Sequence, residues 1–263
     1  MKDEPAKQAK PKIFVLIDGK SLFYRGYYAM PHLSTADGRP TGGVYGFASL
    51  ALELVRQLRP DYVAVAWDKA KTNIRRRRAI YPEYKANRHP APPDFYQQIP
   101  ILRQLLEALG WPFYEVDDYE ADDIIGTLSK QANRAGIHTV IASSDLDMLQ
   151  LIDDDTEVYA LKKGLSSIDR FDVKAFQAKY GIRVDQFLDL KSLKGDSSDN
   201  IPGVPGVGEK TAVALLQKYH DLDGVYAHLD EIAGAAQRKL ADGKASAYMS
   251  RELVQIQCDA PIP

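Results

Sequence analysis

Apolar residues recur along this chain in two alternating rhythms. IFVLI (13–17) and YVAVAW (62–67) are short unbroken runs, the pattern of strands buried on both faces, and WPFYEV (111–116) and residues 139–142 read the same way. GVYGFASLALELVRQL (43–58) and IPILRQLLEALG (99–110) instead repeat apolar residues at helical spacing, and a third helix is expected over 120–135, closed by Gly136. Strands alternating with helices predict an α/β fold with a mostly parallel central sheet flanked by helices. From about residue 172 only short helices are legible: DVKAFQAKYG, VDQFLDLKSL, EKTAVALLQKY and AYMSRELVQI. The expected organisation is a disordered leader over 1–12, an α/β core over 13–171 and a helical region over 172–263. Within the core, residues 68–100 lack a long apolar pattern but hold Arg75 to Arg78 and five prolines, and read as a mobile basic excursion.

Composition narrows the class. The 263 residues carry 34 Lys plus Arg against 36 Asp plus Glu, with 45% apolar residues, the profile of a globular chain. The longest apolar stretch, 44–55, is interrupted by Glu53 and falls short of the roughly 20 residues that span a bilayer. Five apolar residues after the charged leader are too few for a secretory signal, so a cytoplasmic protein with no membrane association is expected. Cys258 is the single cysteine, which excludes an internal disulfide and a cysteine-based zinc site.

The net charge of −2 conceals a segregation. Residues 56–103 hold eleven basic and four acidic side chains, whereas 115–157 hold two basic and twelve acidic. A basic segment suits a polyanion, and a dense acidic one repels it unless cations sit among the carboxylates. The acidic residues fall at telling places. Asp18 follows IFVLI, Asp68 follows YVAVAW, and Asp145 and Asp147 follow TVIASS. A lone Asp there could be a helix cap, but three at corresponding strand ends point to the crevice where open α/β sheets do their work. YEADD adds Glu120, Asp122 and Asp123, the first and last three apart on one helical face; GDSSDN adds Asp196 and Asp199. Nine carboxylates in one crevice require cations, and hard oxygen donors select Mg²⁺, Mn²⁺ or Ca²⁺. Hydrolysis of a phosphate ester is the chemistry that such a site fits.

Asp199 runs into NIPGVPGVGEKT (200–211) and then a helix. The glycines permit close approach of a phosphate, and the helix N-terminus offers free N–H groups. The spacing around Gly206 is wrong for a nucleotide-binding P-loop, and no strand precedes it. A hairpin between helices that grips a nucleic-acid backbone fits better.

Taken in order, LIDGKSLFYRGYYAMP, GRPTGGVYGF, AWD, IYPEYKANR, YEADDIIG, SSDLDMLQL and LKGDSSDNIPGVPGVGEKTA resemble the 5′-nuclease or flap endonuclease family, most closely the 5′-nuclease domain that begins bacterial DNA polymerase I. The resemblance runs from about residue 13 to the C-terminus. It implies a PIN-like fold with a helical arch at about 69–100 and a helix-hairpin-helix at about 185–219. It also implies cleavage of DNA at 5′ ends or flap junctions, in replication or repair, by a monomer using two divalent ions, Mg²⁺ or Mn²⁺. The implied metal ligands are Asp18, Asp68, Glu120, Asp122, Asp123, Asp145, Asp147, Asp196 and Asp199, the first four serving one ion and the last four the other. Lys85 and Arg88 would meet the scissile phosphate, beside Asp18, Asp68 and Asp122 as the catalytic group. Arg25, Arg75, Gly203, Val204, Gly206, Val207, Gly208, Lys210 and Thr211 would add DNA contacts, with K⁺ on the carbonyls of Val204 and Val207. Tyr24, Tyr27, Tyr28 and Tyr84 are candidates for stacking on unpaired bases. Ile74-Arg75 stands where relatives often have Phe-Arg, and the chain ends where polymerase relatives continue, as a stand-alone nuclease or an excised domain would. The competing expectation is a non-catalytic DNA-binding scaffold that uses the same hairpin.

Overall fold

The computed structural model describes residues 10–162 and 167–262, so most of the expected leader lies outside the described residues. β1 (Ile13–Asp18) turns directly into α1 (Gly19–Ala29) because the Asp18 carboxylate accepts the Ser21 N–H at 3.1 Å, capping the helix. α2 (Gly42–Leu58) packs closely on α1: a methyl on Gly26 would lie 2.7 Å from Gly46 Cα, which explains the glycines in both helices. After β2 (Tyr62–Ala66) come α3 (Arg75–Ile80), α4 (Pro93–Gln97), α5 (Ile99–Ala108), the two-residue β3 (Phe113–Tyr114) and α6 (Ala121–Arg134). β4 (His138–Ser143), a 3₁₀ turn over Leu146–Leu151, β5 (Thr156–Leu161) and β6 (Ile168–Phe171) complete the sheet. The helical region comprises α7 (Val173–Tyr180), α8 (Phe187–Lys194), α9 (Glu209–Tyr219), α10 (Leu222–Ala227) and α11 (Gly234–Val254).

The sheet order is β3-β2-β1-β4-β5-β6, parallel except for β6, which pairs antiparallel with β5. Leu16 at the centre faces Ala64 on one side and Ile141 on the other. From β1 the chain winds outward through β2 to β3, then returns to lay β4 on the other side of β1. That reversal opens a crevice at the carboxyl ends of β1 and β4. One face of the sheet is covered by a core containing Phe23, Phe47 and Leu102; the other core runs from Ile124 and Met148 into Leu190 and Leu216, so the helical region shares its apolar interior with the sheet.

Two expectations need correction. The stretch 68–100 is not a loose excursion: Arg77, Tyr84 and Phe95 are buried, and the Lys85 N–H donates to the Asp199 carbonyl at 2.9 Å. Its anchors are spaced irregularly, so no periodicity betrayed them. WPFYEV contributes only two paired residues, on the sheet edge.

Candidate active site

The carboxyl ends of β2, β1 and β4 bring their aspartates together, and the first turn of α6 points at the same place. Asp18, Asp68, Glu120, Asp122, Asp145, Asp147 and Asp196 line one cleft of about 500 Å³, together with Lys20, Tyr24, Lys85, Arg88 and Lys191. The capping reading of these aspartates holds as well. One Asp18 oxygen caps α1 while the other accepts the Ser143 hydroxyl at 2.6 Å, and Asp145 accepts the Asp147 N–H at 2.9 Å. Asp68 accepts the Ala121 N–H at 2.9 Å, which ties the end of β2 to the start of α6.

Asp199 and Asp123 sit differently. Asp199 is buried beside the cleft, held by Arg88 and lying 3.5 Å from the Lys85 ammonium. Asp123 does not line the cleft. Both its oxygens accept from the Arg77 guanidinium, at 2.8 and 2.9 Å, and the N–H groups of Glu120 and Gln257 take the remaining positions. Glu120 and Asp123, three apart, do not share one face: Glu120 is the cap residue, extended at φ −83° and ψ 165°, and reaches the cleft along a direction that Asp123, inside the helix, does not share.

Repulsion among the carboxylates shows in their acidities. Burial first, then the charges of Asp68 and Asp145, push Asp18 up to about 6; burial and Asp145 do the same to Asp147. Asp122 is raised well above the ordinary range by burial, Asp145 and Asp18. Asp68, which burial alone would raise, is held low by Lys20, Lys85 and the Ala121 N–H, and Asp196 is brought to about 2 against its partial burial by Lys191 and Ser198. The three lysines thus act as countercharges: Lys20 to Asp68, Lys85 to Glu120, and Lys191 to Asp147 and Asp196.

The sign of the resulting pH dependence follows. Asp18 and Asp147 take up protons near pH 6 when folded and near 4 when unfolded, so their deficit in stability is complete above pH 6 and is recovered as the pH falls. In EDTA the protein is expected to gain about 2 kcal/mol between pH 7 and pH 5, a rise in Tm of several degrees by scanning calorimetry. Excess Mg²⁺ should reverse the trend, since cations hold the ionised forms. A Tm that is flat or falls over that range in EDTA contradicts this account of the cleft.

The donor set fits hard divalent cations: seven carboxylates, with neither His nor Cys in the lining. Among the described residues no three acidic, His or Cys side chains are already closed around one point, so the cleft is an open basin with lysine countercharges and no preformed cage.

The remaining expected residues are scattered around this basin. Gly195, Gly203 and Gly206 all have positive φ (73°, 59° and 79°), as the hairpin following α8 requires. Gly208 caps α9, with Lys210 and Thr211 exposed in its first turn. Val204 and Val207 are buried, and the Val204 carbonyl accepts the Val207 N–H at 3.0 Å. Sequence reasoning missed the grip of α11 on this hairpin. Ser250 Oγ accepts the Gly203 N–H at 3.0 Å, Ser246 Oγ donates to the Gly203 carbonyl at 2.6 Å, and Lys239 Nζ donates to the Gly206 carbonyl at 3.0 Å.

Arg25 is half-buried on α1, outside the cleft lining, and Arg75 pairs with Asp118 on the surface. Of the four consecutive arginines it is Arg77 that turns inward. Tyr84 is buried with its hydroxyl donating to Glu120 at 2.9 Å, and Tyr27 is buried with its hydroxyl on Asp94 at 2.8 Å, so neither ring is open to a base. Tyr24 lines the cleft and stacks at 5.9 Å on Tyr28, which is 63% exposed.

Residues 13–181 match the family described as 5′-3′ exonuclease, N-terminal resolvase-like domain, and residues 182–263 match 5′-3′ exonuclease, C-terminal SAM fold. That boundary leaves α7 with the first part, ten residues beyond the expected division. DNA polymerase I of Bacillus subtilis is 42% identical over 95% of this chain, which spans only 28% of that protein's length. Among solved structures, the bacteriophage T5 D15 flap endonuclease in a pseudo-enzyme-product complex with DNA and metal ions matches at a TM-score of 0.77, with 20% identity, 93% of this chain and 89% of that one. The catalytic core of Rad2 in complex with DNA substrate matches at 0.56, with 15% identity, 97% of this chain and 83% of that one. A resolvase-like sheet with its acidic basin followed by the helical hairpin region, matched end to end from residue 13, makes this chain a member of the 5′-3′ exonuclease family.

Proposed function

We propose that this chain is a structure-specific 5′-nuclease that hydrolyses DNA phosphodiesters at 5′ ends or flap junctions, as a monomer, in replication or repair. The observation that carries the reading is the convergence of seven carboxylates from β1, β2, β4, α6 and the loop after α8 on one cleft, directly beside Lys85 and Arg88. Asp18, Asp68, Glu120 and Asp122 would hold one ion, Mg²⁺ or Mn²⁺, and Asp145, Asp147 and Asp196 a second. Asp199, already engaged by Arg88 and Lys85, would support that second site. Such ions would supply Lewis-acid charge that activates a water and offsets charge on the departing oxygen.

The chain's own residues do the rest. Lys85 and Arg88 border the cleft and would bind the scissile phosphate, giving up their carboxylate partners as the phosphate arrives. N–H groups at the start of α9, with Lys210 and Thr211, would hold the duplex backbone, and a K⁺ on the Val204 and Val207 carbonyls would add to that grip. Tyr24 and Tyr28 would stack on unpaired bases near the cleft. Contacts of this kind go to phosphate and sugar, so binding should ignore sequence and weaken steeply with salt.

The test is a labelled 5′-flap duplex incubated with Mg²⁺ or Mn²⁺, with and without EDTA, against the same flap made of RNA. Release of the flap that depends on the metal and prefers DNA is expected. Binding without cleavage under either ion would leave a non-catalytic scaffold as the better account, and preferential cutting of the RNA flap would point to a ribonuclease. No helix among the described residues is long and apolar enough to cross a membrane.

A further inference from the structure

Arg77 sits 176 residues before Leu253, in the last turn of α11, yet the two are joined at the back of the cleft-facing helix α6. Arg77 is 7% exposed, and every side of its guanidinium is engaged. Nε donates to the Leu253 carbonyl at 2.9 Å and one terminal nitrogen to the Gln255 carbonyl at 3.0 Å. Both terminal nitrogens reach Asp123, and one lies 3.0 Å from Glu120. Asp123 in turn takes the Gln257 N–H at 2.8 Å, and Thr127, one turn along α6, takes the Ala260 N–H at 3.0 Å. Gln150 fixes this strap, the chain over 255–260 that follows α11, at its start, donating to the Val254 carbonyl at 3.1 Å and accepting the Ile256 N–H at 3.0 Å. Ile256 closes on Gly126, where an added methyl would come within 2.7 Å of its side chain.

The consequence is mechanical. Asp123 is flanked in sequence by Asp122 and lies one turn from Glu120, and both of those face the cleft. With four donors on its carboxylate, Asp123 cannot rotate without breaking the strap, so the first turn of α6 is pinned from behind while Asp68 holds it in front through Ala121. Open carboxylates gather cations best when their directions are fixed in advance by groups that do not touch the ion. We infer that Arg77 is a positioning residue: through Asp123 and the strap 255–260 it sets the direction of Glu120 and Asp122 toward the bound cations. The inference rests on the metal-dependent nuclease reading.

Mn²⁺ titrated calorimetrically into the full chain without DNA reads the effect apart from turnover. Arg77→Lys keeps the charge but offers one nitrogen where five N–H groups are used, and it should weaken Mn²⁺ binding about tenfold. Gln150→Ala, remote from the cleft, loosens only the strap and should weaken Mn²⁺ binding several-fold. Affinity for the flap duplex in EDTA should stay within about twofold of wild type for both. A role limited to core packing or to charge predicts unchanged Mn²⁺ affinity for any variant that still melts cooperatively, and that result overturns the proposal. Should Arg77→Lys fail to fold, Gln150→Ala decides the question by the same criterion. Wild type that neither binds Mn²⁺ nor cuts the flap overturns the nuclease reading and this inference with it; wild type that does both, with the variants unaffected, overturns the inference alone.

Discussion

Asp122→Asn is expected to lower the rate of flap cleavage at saturating Mg²⁺ by about 10³-fold or more, while flap binding in EDTA stays equal or becomes tighter. The rate loss follows from removing a carboxylate from the group that would hold a cation, since a Lewis acid supplies several kcal/mol of charge stabilisation in the transition state. The binding result has the opposite sign because the amide cannot ionise in a cleft that must receive a polyanion. A third consequence concerns the ion-free protein. Asp122 is forced well above the ordinary carboxylate range by burial and by Asp145 and Asp18, so replacing it relieves repulsion and should raise the Tm in EDTA by a few degrees. The three measurements separate a catalytic loss from a folding defect. A variant that cuts at the wild-type rate removes Asp122 from the catalytic group.

Much of this site was legible because its aspartates follow strands that are apolar on both faces. IFVLI, YVAVAW and TVIAS are buried in a parallel sheet, so they stand out as runs, and their last residues mark its carboxyl edge. β5 and β6 escaped for the converse reason. β6 is the sheet edge, and TEVYAL and IDRF mix charged with apolar residues because one side meets water, as the surface pair of Glu157 with Arg170 shows. α1 was likewise unread. GKSLFYRGYYA buries positions 19, 22, 23, 26 and 27 at helical spacing, but two of these five are glycines, so few apolar side chains mark the helix, and its start is set by the Asp18 cap.

The lysine countercharges were partly within reach of sequence. Lys191 stands four residues after Phe187 on α8, a charged residue in register with a buried one, and only a buried acidic partner makes that tolerable. Arg77 carried no comparable signal. Which of four adjacent arginines turns inward depends on where the chain returns after α11, a contact between residues 77 and 253 that local pattern does not encode.

Lys85→Ala should lower kcat by about 10² to 10³-fold, with a much smaller change in KM, as expected for a cation aimed at charge that grows in the transition state. The backbone at Lys85 is left-handed, φ 55°, a conformation that burdens Ala no more than Lys, so the substitution tests the ammonium and not the turn. The lost group also has a resting role. Lys85 is paired with Glu120 and held well above its ordinary pKa: burial disfavours its charge, but Glu120 and Asp199 overcome that. Glu120 keeps the Tyr84 hydroxyl and the Arg77 contact after the substitution, so destabilisation of about 1 to 3 kcal/mol is expected, and assays belong well below the variant's Tm. Because the ammonium occupies space among carboxylates that would hold cations, its removal should tighten Mn²⁺ binding several-fold, the reverse of the effect expected for Arg77→Lys. A slow enzyme that binds Mn²⁺ more tightly would assign Lys85 to the phosphate and not to the ordering of the ligands. A wild-type kcat in a folded Lys85→Ala variant would remove Lys85 from the chemical step.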